Sequence, residues 1–299
     1  MKEQKLIDIH IHSKYSIDGI LNIDELFTKA EENKLSYFSI TDHNNVNAYK
    51  NDVPKFRKIF SGKLIPGVEI NCHVNGTPVE ILSYGHDIDG MDKYLQTYFS
   101  DEKKFNSHIK KVNFLFSVAN KLGLKYDKKV LDISSIRTYA TEIFYEEITR
   151  YPENQTIFPQ EAWGNEALFY RKYIMNPGNQ IWFSNDLSAW PDSNELIKKI
   201  HELNGLAFLA HPFEYKNEET SIFLNKVLKQ KIDGIECYHL TSQGEKNNFL
   251  IDYASKHNLL MSGGSDFHGT FSSRCNIIGD KGMPFEIKEN VINNWAKNL

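Results

Sequence analysis

The sequence predicts an α/β fold in which about seven short strands form a barrel, or a distorted and incomplete one. Three observations carry the prediction. Short apolar runs alternate with stretches whose apolar residues recur every three or four positions, the rhythm of strands joined by helices. The runs are apolar almost throughout, as in parallel strands buried on both faces. Seven of them end in histidine or a carboxylate, on the edge where α/β barrels carry their chemistry.

Residues 6–12 (LIDIHIH) form the first strand. Residues 23–33 follow as a helix, with Asp24 and Glu25 near its electropositive start. Strands over 37–42 (YFSITD), 64–70 (LIPGVEI) and 78–84 (PVEILSY) come next. Residues 127–187 break the rhythm: the stretch is rich in aromatics, punctuated by Pro and Gly, and too long for a structureless loop in a compact domain. It reads as a mostly helical insertion, a cap over the barrel mouth. Its aromatics, among them Trp163, Phe169, Tyr170, Tyr173, Trp182 and Phe183, fit an internal core better than a base-stacking surface. The rhythm resumes with a helix over 192–203, strands over 206–210 (LAFLA) and 234–238 (GIECY), a helix over 245–258 and a strand over 259–266 (LLMSGGSD). The barrel thus comprises 1–126 and 188–280, and 281–299 is a tail that reads as a short closing helix.

Composition excludes several classes. A chain of 299 residues can bury a full core without staples. Lys plus Arg number 35 and Asp plus Glu 39, a formal charge of −4, which, a local basic cleft aside, leaves no electrostatic footprint for non-specific nucleic-acid binding, and no stable duplex binding is expected. No apolar run approaches the roughly 18 residues of a membrane span. The first residues, MKEQKLIDIHIHS, are polar where a secretion signal is apolar. Cys72, Cys237 and Cys275 lie far apart with no CxxC pair, so neither a disulfide framework nor a zinc knuckle is indicated. The expectation is a soluble cytoplasmic protein.

His10-Ile11-His12 is the sharpest local feature. Alternate strand residues share a face, so two imidazoles project together and can hold one ion. Asp8, on that same face, is placed to fix a tautomer. A polar loop with Ser13, Ser16, Asp18 and Gly19 can bring a carboxylate back to the pair. Asp42-His43 adds a ring with a carboxylate beside it, and Glu69, after the Pro66-Gly67 turn, has two oxygens with which to bridge two ions. Asp266 and His268 repeat the alternate spacing behind Gly263-Gly264-Ser265, small residues that let backbones approach. Mixed histidine and carboxylate ligands suit Zn, Mn or Fe. His108, in a lysine-rich helix, His201 and His257 read as ordinary helix residues.

The motifs DIHIHSKYSIDG, SITDHNNV, IPGVEIN, LAHP, GIECYH and SGGSDFHG, in this order across residues 6–269, resemble those of the PHP (polymerase and histidinol phosphatase) family of metal-dependent phosphoesterases. The resemblance implies a distorted (β/α)7 barrel carrying two or three divalent metal ions. It implies a first metal held by His10, His12, Glu69 and Asp266. A second would share Glu69 and be held also by His211 and Glu80, and a third by Asp18, His43 and His268. Glu80 departs from the family pattern, whose fourth-strand motif often reads HIL where this chain reads Glu80-Ile81-Leu82. Either the glutamate ligates with an altered metal preference, or nearby His86 takes its place, or the second site is weak. The long insertion resembles the branch of general phosphoesterases acting on nucleotides or short oligonucleotides.

The expected chemistry is hydrolysis of a phosphate monoester of a small metabolite or nucleotide, by a hydroxide bridging two metals ~3.5–4 Å apart. His239 is the candidate general acid for the leaving oxygen. Arg274, just past SDFHG, and Arg137, in the insertion, are candidates for a forked phosphate contact. The alternatives are a 5′–3′ exonuclease on short oligonucleotides, a histidinol-phosphate phosphatase and, from another class, a metal-binding module without turnover. An amidohydrolase acting on C–N bonds shares the initial HxH, but the bridging lysine it would carry after the fourth strand is not evident.

Overall fold

The structure is a computed structural model that describes residues 6–136, 138–176, 178–184, 187, 189–215, 219–269, 287 and 289–299. Eight strands occur among the described residues: β1 (Leu6–Asp8), β2 (Leu35–Phe38), β3 (Lys63–Leu64), β4 (Gly67–Val74), β5 (Thr77–Tyr84), β6 (Leu206–Leu209), β7 (Gly234–Tyr238) and β8 (Leu260–Gly263). They form a three-stranded sheet in the order β1-β2-β3 and a five-stranded sheet in the order β4-β5-β6-β7-β8. β1–β2, β2–β3, β6–β7 and β7–β8 pair parallel, whereas β5–β6 pair antiparallel. The α/β class stands, but the five-stranded sheet is mixed where the apolar runs predict parallel strands. Asn75 and Gly76 alone join β4 to β5, both at positive φ (+50° and +81°), and a two-residue hairpin turn reverses the chain. The single strand expected over 64–70 is two strands, β3 and β4, interrupted at Pro66, which has no amide to give a ladder.

Isolated parallel bridges extend the pairing beyond the sheets, Ile11 with Phe267 and His43 with Glu69. The His12 amide donates to the Phe267 carbonyl at 2.8 Å and the Asp266 amide to the His10 carbonyl at 2.9 Å. Strand ends that bear histidine and carboxylate therefore lie side by side.

The chain packs as two compact units, Met1–Asn75 with Val79–Thr97 and Pro191–Leu299, and Gly76–Pro78 with Tyr98–Trp190. In the first, helices Ile23–Glu32, Ser193–Glu202 and Glu245–Lys256 lie where the periodicity predicts them. Glu25 reaches back to accept the Asn22 amide (2.8 Å), and Asp192 accepts the Asn194 amide (2.9 Å), so both helix starts are capped. Ile9, Ile11, Phe38, Ile40, Phe208 and Leu209 are fully buried and make the core behind the strand ends. In the second unit, helices Asp101–Leu122 and Ala140–Thr149 pack around Phe116, Phe144, Phe158, Phe169 and Trp182. Phe169 meets the Trp182 ring edge-on at 5.2 Å, a contact worth about 0.5–1.5 kcal/mol beyond its burial. Trp163 and Tyr173 lean on this cluster, while Tyr170 stays exposed. Among the described residues no helix is long and apolar enough to cross a membrane.

Candidate metal centre

Strand alternation sets the histidine pair. Past β1 the fully buried Ile9 and Ile11 alternate with the fully buried His10 and His12, whose rings lie 5.3 Å apart. Gly264 permits the close approach: a Cβ there would stand 2.4 Å from the His10 backbone nitrogen.

Glu69 is the hub. Its Oε2 lies 3.4 Å from His10 Nε2, 3.2 Å from His12 Nε2 and 3.1 Å from His43 Nδ1, while its Oε1 lies 2.9 Å from His211 Nε2. Asp266 Oδ1 faces the first pair from the other side, 3.4 Å from His10 Nε2 and 3.3 Å from His12 Nε2. His10, His12, Glu69 and Asp266 thus bring one ligand atom each within 4.8 Å of one another. His12, Asp18, His43 and His268 make a second such group, with Asp18 Oδ2 3.1 Å from His268 Nε2. His43, Glu69 and Glu80 make a third. His211 stands outside that last set, although its Nε2 is 3.3 Å from Glu80 Oε2. All nine residues singled out as metal candidates are thus linked in one cluster, with His12, His43 and Glu69 each belonging to two groups. Two of the nine, His211 (φ +25°) and Asp266 (φ +51°), adopt left-handed backbone that side chains disfavour, a strain of order 1–3 kcal/mol each that is concentrated at functional sites.

The partners behind the rings differ from the sequence expectation. Asp8 Oδ1 accepts the Ser265 amide at 2.9 Å. Glu236 orients the His10 ring, its Oε1 lying 2.9 Å from His10 Nδ1 and its Oε2 accepting the His211 amide at 2.8 Å. A carboxylate only accepts, so Nδ1 of His10 carries a proton, and in the neutral ring Nε2 turns its lone pair to the site. Ser16 serves His12 likewise: His12 Nδ1 donates to Ser16 Oγ (3.0 Å), which donates to Asp42 Oδ1 (3.0 Å) and accepts the His43 amide (2.9 Å). Asp42 also takes the Ser13 amide and hydroxyl at 2.7 and 2.6 Å, so this carboxylate braces the loop. The sequence shows Glu236 only as a strand-end carboxylate, and nothing local signals its pairing with a ring 226 residues away.

Charge is concentrated here. Burial disfavours the protonated form of His10, yet Glu236, Glu69 and Asp266 hold its pKa well above the imidazole range. Against the same burial, Asp18, Glu69 and Glu80 raise His43 to about 10. His211 is raised to about 10 by Glu69, Glu214 and Glu80. His12 moves the other way, lowered by burial and by the rings of His268 and His43. Burial opposes ionisation of Asp18, but His43 and His268 hold it far below the carboxylate range.

The donor set indicates what the site accepts. His10 Nε2, His12 Nε2 and His43 Nδ1 are buried with no hydrogen-bond partner, although carboxylate oxygens approach to 3.1–3.4 Å. A buried polar atom without a partner costs about 1–3 kcal/mol, and several converging on one spot demand an explanation. Once deprotonated, these imidazoles would turn lone pairs toward carboxylate oxygens, and a divalent cation between them satisfies both, in place of the protons that the carboxylates otherwise hold on His10 and His43. The residues fit divalent metal ions, and ions held there would present positive charge to a phosphate.

His239 differs in its protons. The Thr241 amide donates to its Nδ1 at 3.2 Å, and Thr241 Oγ1 lies 2.8 Å from the same atom. In the neutral ring Nε2 then bears the hydrogen, 3.5 Å from Asp266 Oδ2. This histidine offers a proton rather than a lone pair. His86 does not replace Glu80: it lies in none of the three groups, and its ring sits against Ser83 Oγ at 2.9 Å. Glu80 instead accepts from Asn71 Nδ2 at 3.0 Å while facing His211. Arg137 and Arg274, the candidate phosphate contacts, lie outside the described residues.

A family model described as "PHP domain" matches residues 8–290. Among curated proteins, the chain is 24% identical over 297 residues to a 5′-3′ exoribonuclease from Haemophilus influenzae, covering 98% of this chain and 99% of that one. It is 21% identical over 266 residues to a phosphoribosyl 1,2-cyclic phosphate 1,2-diphosphodiesterase from Eggerthella lenta, covering 88% and 94%. Among solved structures, an amidohydrolase from Chromobacterium violaceum with bound sulfate and no metal superposes with a TM-score of 0.70 at 18% identity, covering 98% and 96%. A protein from Bifidobacterium adolescentis, itself proposed to be a metal-dependent phosphoesterase, superposes at 0.65 and 18% identity, covering 98% and 95%. At such identities the structural likeness concerns the fold alone.

Proposed function

Because this chain belongs to the PHP domain family, we propose that it is a metal-dependent phosphoesterase that hydrolyses a phosphate monoester of a small metabolite or nucleotide. The observation that carries the reading is the convergence of His10, His12, His43 and His211 on the two oxygens of Glu69, with three ring nitrogens left unpartnered. In this reading the two sheets are parts of one distorted (β/α)7 barrel, joined through the Ile11–Phe267 and His43–Glu69 bridges. Two or three divalent ions, Mn, Fe or Zn, would be held by His10, His12, Glu69 and Asp266, by Glu69, His211 and Glu80, and by Asp18, His43 and His268. The buried free thiols Cys72 and Cys237 accord with a cytoplasmic setting.

When bound, such ions neutralise phosphate charge and lower the pKa of a coordinated water toward ~7. The chain supplies the remaining chemistry. Glu236 and the Ser16–Asp42 pair hold His10 and His12 in the tautomer that turns Nε2 inward. In its imidazolium form, with Thr241 Oγ1 accepting from Nδ1, His239 would give the Nε2 proton to the leaving oxygen, which departs as an alcohol while the ring returns to neutral imidazole. Arg137 and Arg274 remain the candidates for contacts to phosphate oxygens.

A second reading, a 5′–3′ exonuclease on short oligonucleotides, is favoured by the match to an exoribonuclease over almost the full length of both chains. One assay tests both readings. Phosphate or nucleotide release is followed from p-nitrophenyl phosphate, mononucleotides and a 5′-phosphorylated pentanucleotide, with and without chelator. Release from the small esters, abolished by chelator, supports the first reading. Stepwise loss of nucleotides from the pentamer alone supports the second. No release from any substrate by metal-loaded protein contradicts both.

A further inference from the structure

The long helix Asp101–Leu122 of the second unit carries an anomaly of its own. Residues 103–126 contain six lysines and no acid. Three of those lysines, Lys103, Lys110 and Lys121, point away from the buried side, as a solvated helix face requires. The other face is unusual. Leu115, Val118 and Ala119 occupy it in the C-terminal half and are buried in the unit's core. Four, three and four residues toward the N-terminus, the same stripe passes through Lys111, His108 and Lys104. Positions that the helical period assigns to core are thus basic. Lys104 and Lys111 are partly buried, and His108 is 9% exposed with its Nε2 lacking a hydrogen-bond partner. Neither lysine makes an ion pair among the described residues, and Lys111 has only the face of Phe114, 5.7 Å from its ammonium.

Sheltering cations from water without an acid is costly, and an arriving anion would offset that cost. Burial alone pushes Lys111 down to about 8 and lowers His108, and it lowers Lys104 against the pull of Asp101. At about 8, Lys111 remains predominantly charged at neutral pH. Seven residues of helix separate Lys104 from Lys111, roughly 10 Å. One phosphate cannot meet both ends of such a stripe, whereas a single strand with phosphates every ~3.4 Å of rise can.

We propose that Lys104, His108 and Lys111 form a binding face for the sugar-phosphate backbone of a short single-stranded oligonucleotide. The choice of ligand rests on the exonuclease reading, but the stripe is tested by binding without turnover, so the two fail separately.

The test uses the full-length, metal-loaded protein and a fluorescein-labelled RNA pentanucleotide with phosphorothioate linkages that resist hydrolysis. Anisotropy is recorded over a salt series for the wild type, for the double variant Lys104→Met with Lys111→Met, and for Lys104→Arg with Lys111→Arg. Circular dichroism and metal content establish that each variant folds and keeps its metal. The expected result is that the Met pair weakens binding at least about tenfold and flattens the salt dependence by about 1.4, the slope of two single-strand phosphate contacts. The Arg pair should bind as the wild type does. A pentanucleotide that fails to bind the wild type overturns the inference, as does a Met pair with unchanged affinity and slope. The lysines would then lay their stems on apolar surface with their ammonium groups in water. A mononucleotide that competes as strongly as the unlabelled pentamer also overturns it. If the stripe passes and no substrate releases phosphate or nucleotide, only the catalytic readings fall.

Discussion

Glu236 faces His10 with one oxygen, 2.9 Å from Nδ1, and with the other accepts the backbone amide of His211 at 2.8 Å. One buried carboxylate thereby fixes the tautomer of a first-strand ring and the backbone from which the ring of His211 projects. Removing such an outer partner typically costs 10–100-fold in metal affinity. Glu236→Gln keeps the volume but has one accepting oxygen for two donors. It is expected to weaken metal binding about 10–100-fold with an unchanged circular dichroism spectrum, as measured by competition with a chromogenic chelator. Affinity equal to the wild type would show that His10 needs no such partner.

Metal uptake should release protons. His43 and His211, raised to about 10, hold protons at neutral pH that a metal ion must displace. Affinity therefore rises with pH toward about 10, and falls as the pH drops and the imidazoles hold their protons more firmly. Calorimetry in two buffers of different ionisation enthalpy at pH 7 should show net proton release of at least about one per cluster. Zero release would mean that these rings are already neutral or take no part.

Glu80 decides the group that includes His43 and Glu69. Glu80→Ala should remove about one equivalent of metal and lower phosphate release at least about tenfold, while the group built on His10 and Asp266 keeps its ion. Glu80→His, which restores the more frequent family residue, should retain the metal count and change the preference between Mn and Zn. An unchanged metal count in Glu80→Ala would remove this residue from the ligand set.

His86 tests the outcome at the fourth strand by stability. Burial lowers its pKa from the ordinary 6.5 to about 4. The unfolded chain then binds a proton between those values that the folded chain does not. Stability from this ring is fully present above about 6.5 and is lost as the pH falls through 6.5 toward 4, by about 3 kcal/mol in all. Chemical denaturation at pH 7, 5.5 and 4.5 should show the wild type losing stability faster than His86→Leu. Parallel curves would mean that the ring is protonated in the folded chain.

Much of the site is legible in the sequence because strand alternation is a local rule. His10 and His12 share a face by spacing alone, and Gly264 marks a close approach that the backbone then makes. The helices over 23–33, 192–203 and 245–258 follow their periodicity to within about two residues at each end. What the sequence conceals is long-range or competing. Asn75-Gly76 is a strong hairpin signal, yet the apolar runs on either side match buried parallel strands equally well. Asp8 is the natural partner for His10 within one strand, but the ring turns to Glu236, and Asp8 ties down Ser265 instead. His108 reads as an ordinary residue of a lysine-rich helix until burial places it, with Lys104 and Lys111, on the core-facing stripe.

The account stands on the strand-end histidines and carboxylates holding metal. Elemental analysis of the purified wild type beside His10→Ala and Asp266→Ala tests this most directly, with phosphate release measured on the same samples. The account predicts two or three equivalents of Mn, Fe or Zn in the wild type, and a fall in metal and in phosphate release together in both variants. No bound metal in the wild type, even after reconstitution with each of these ions, would contradict it.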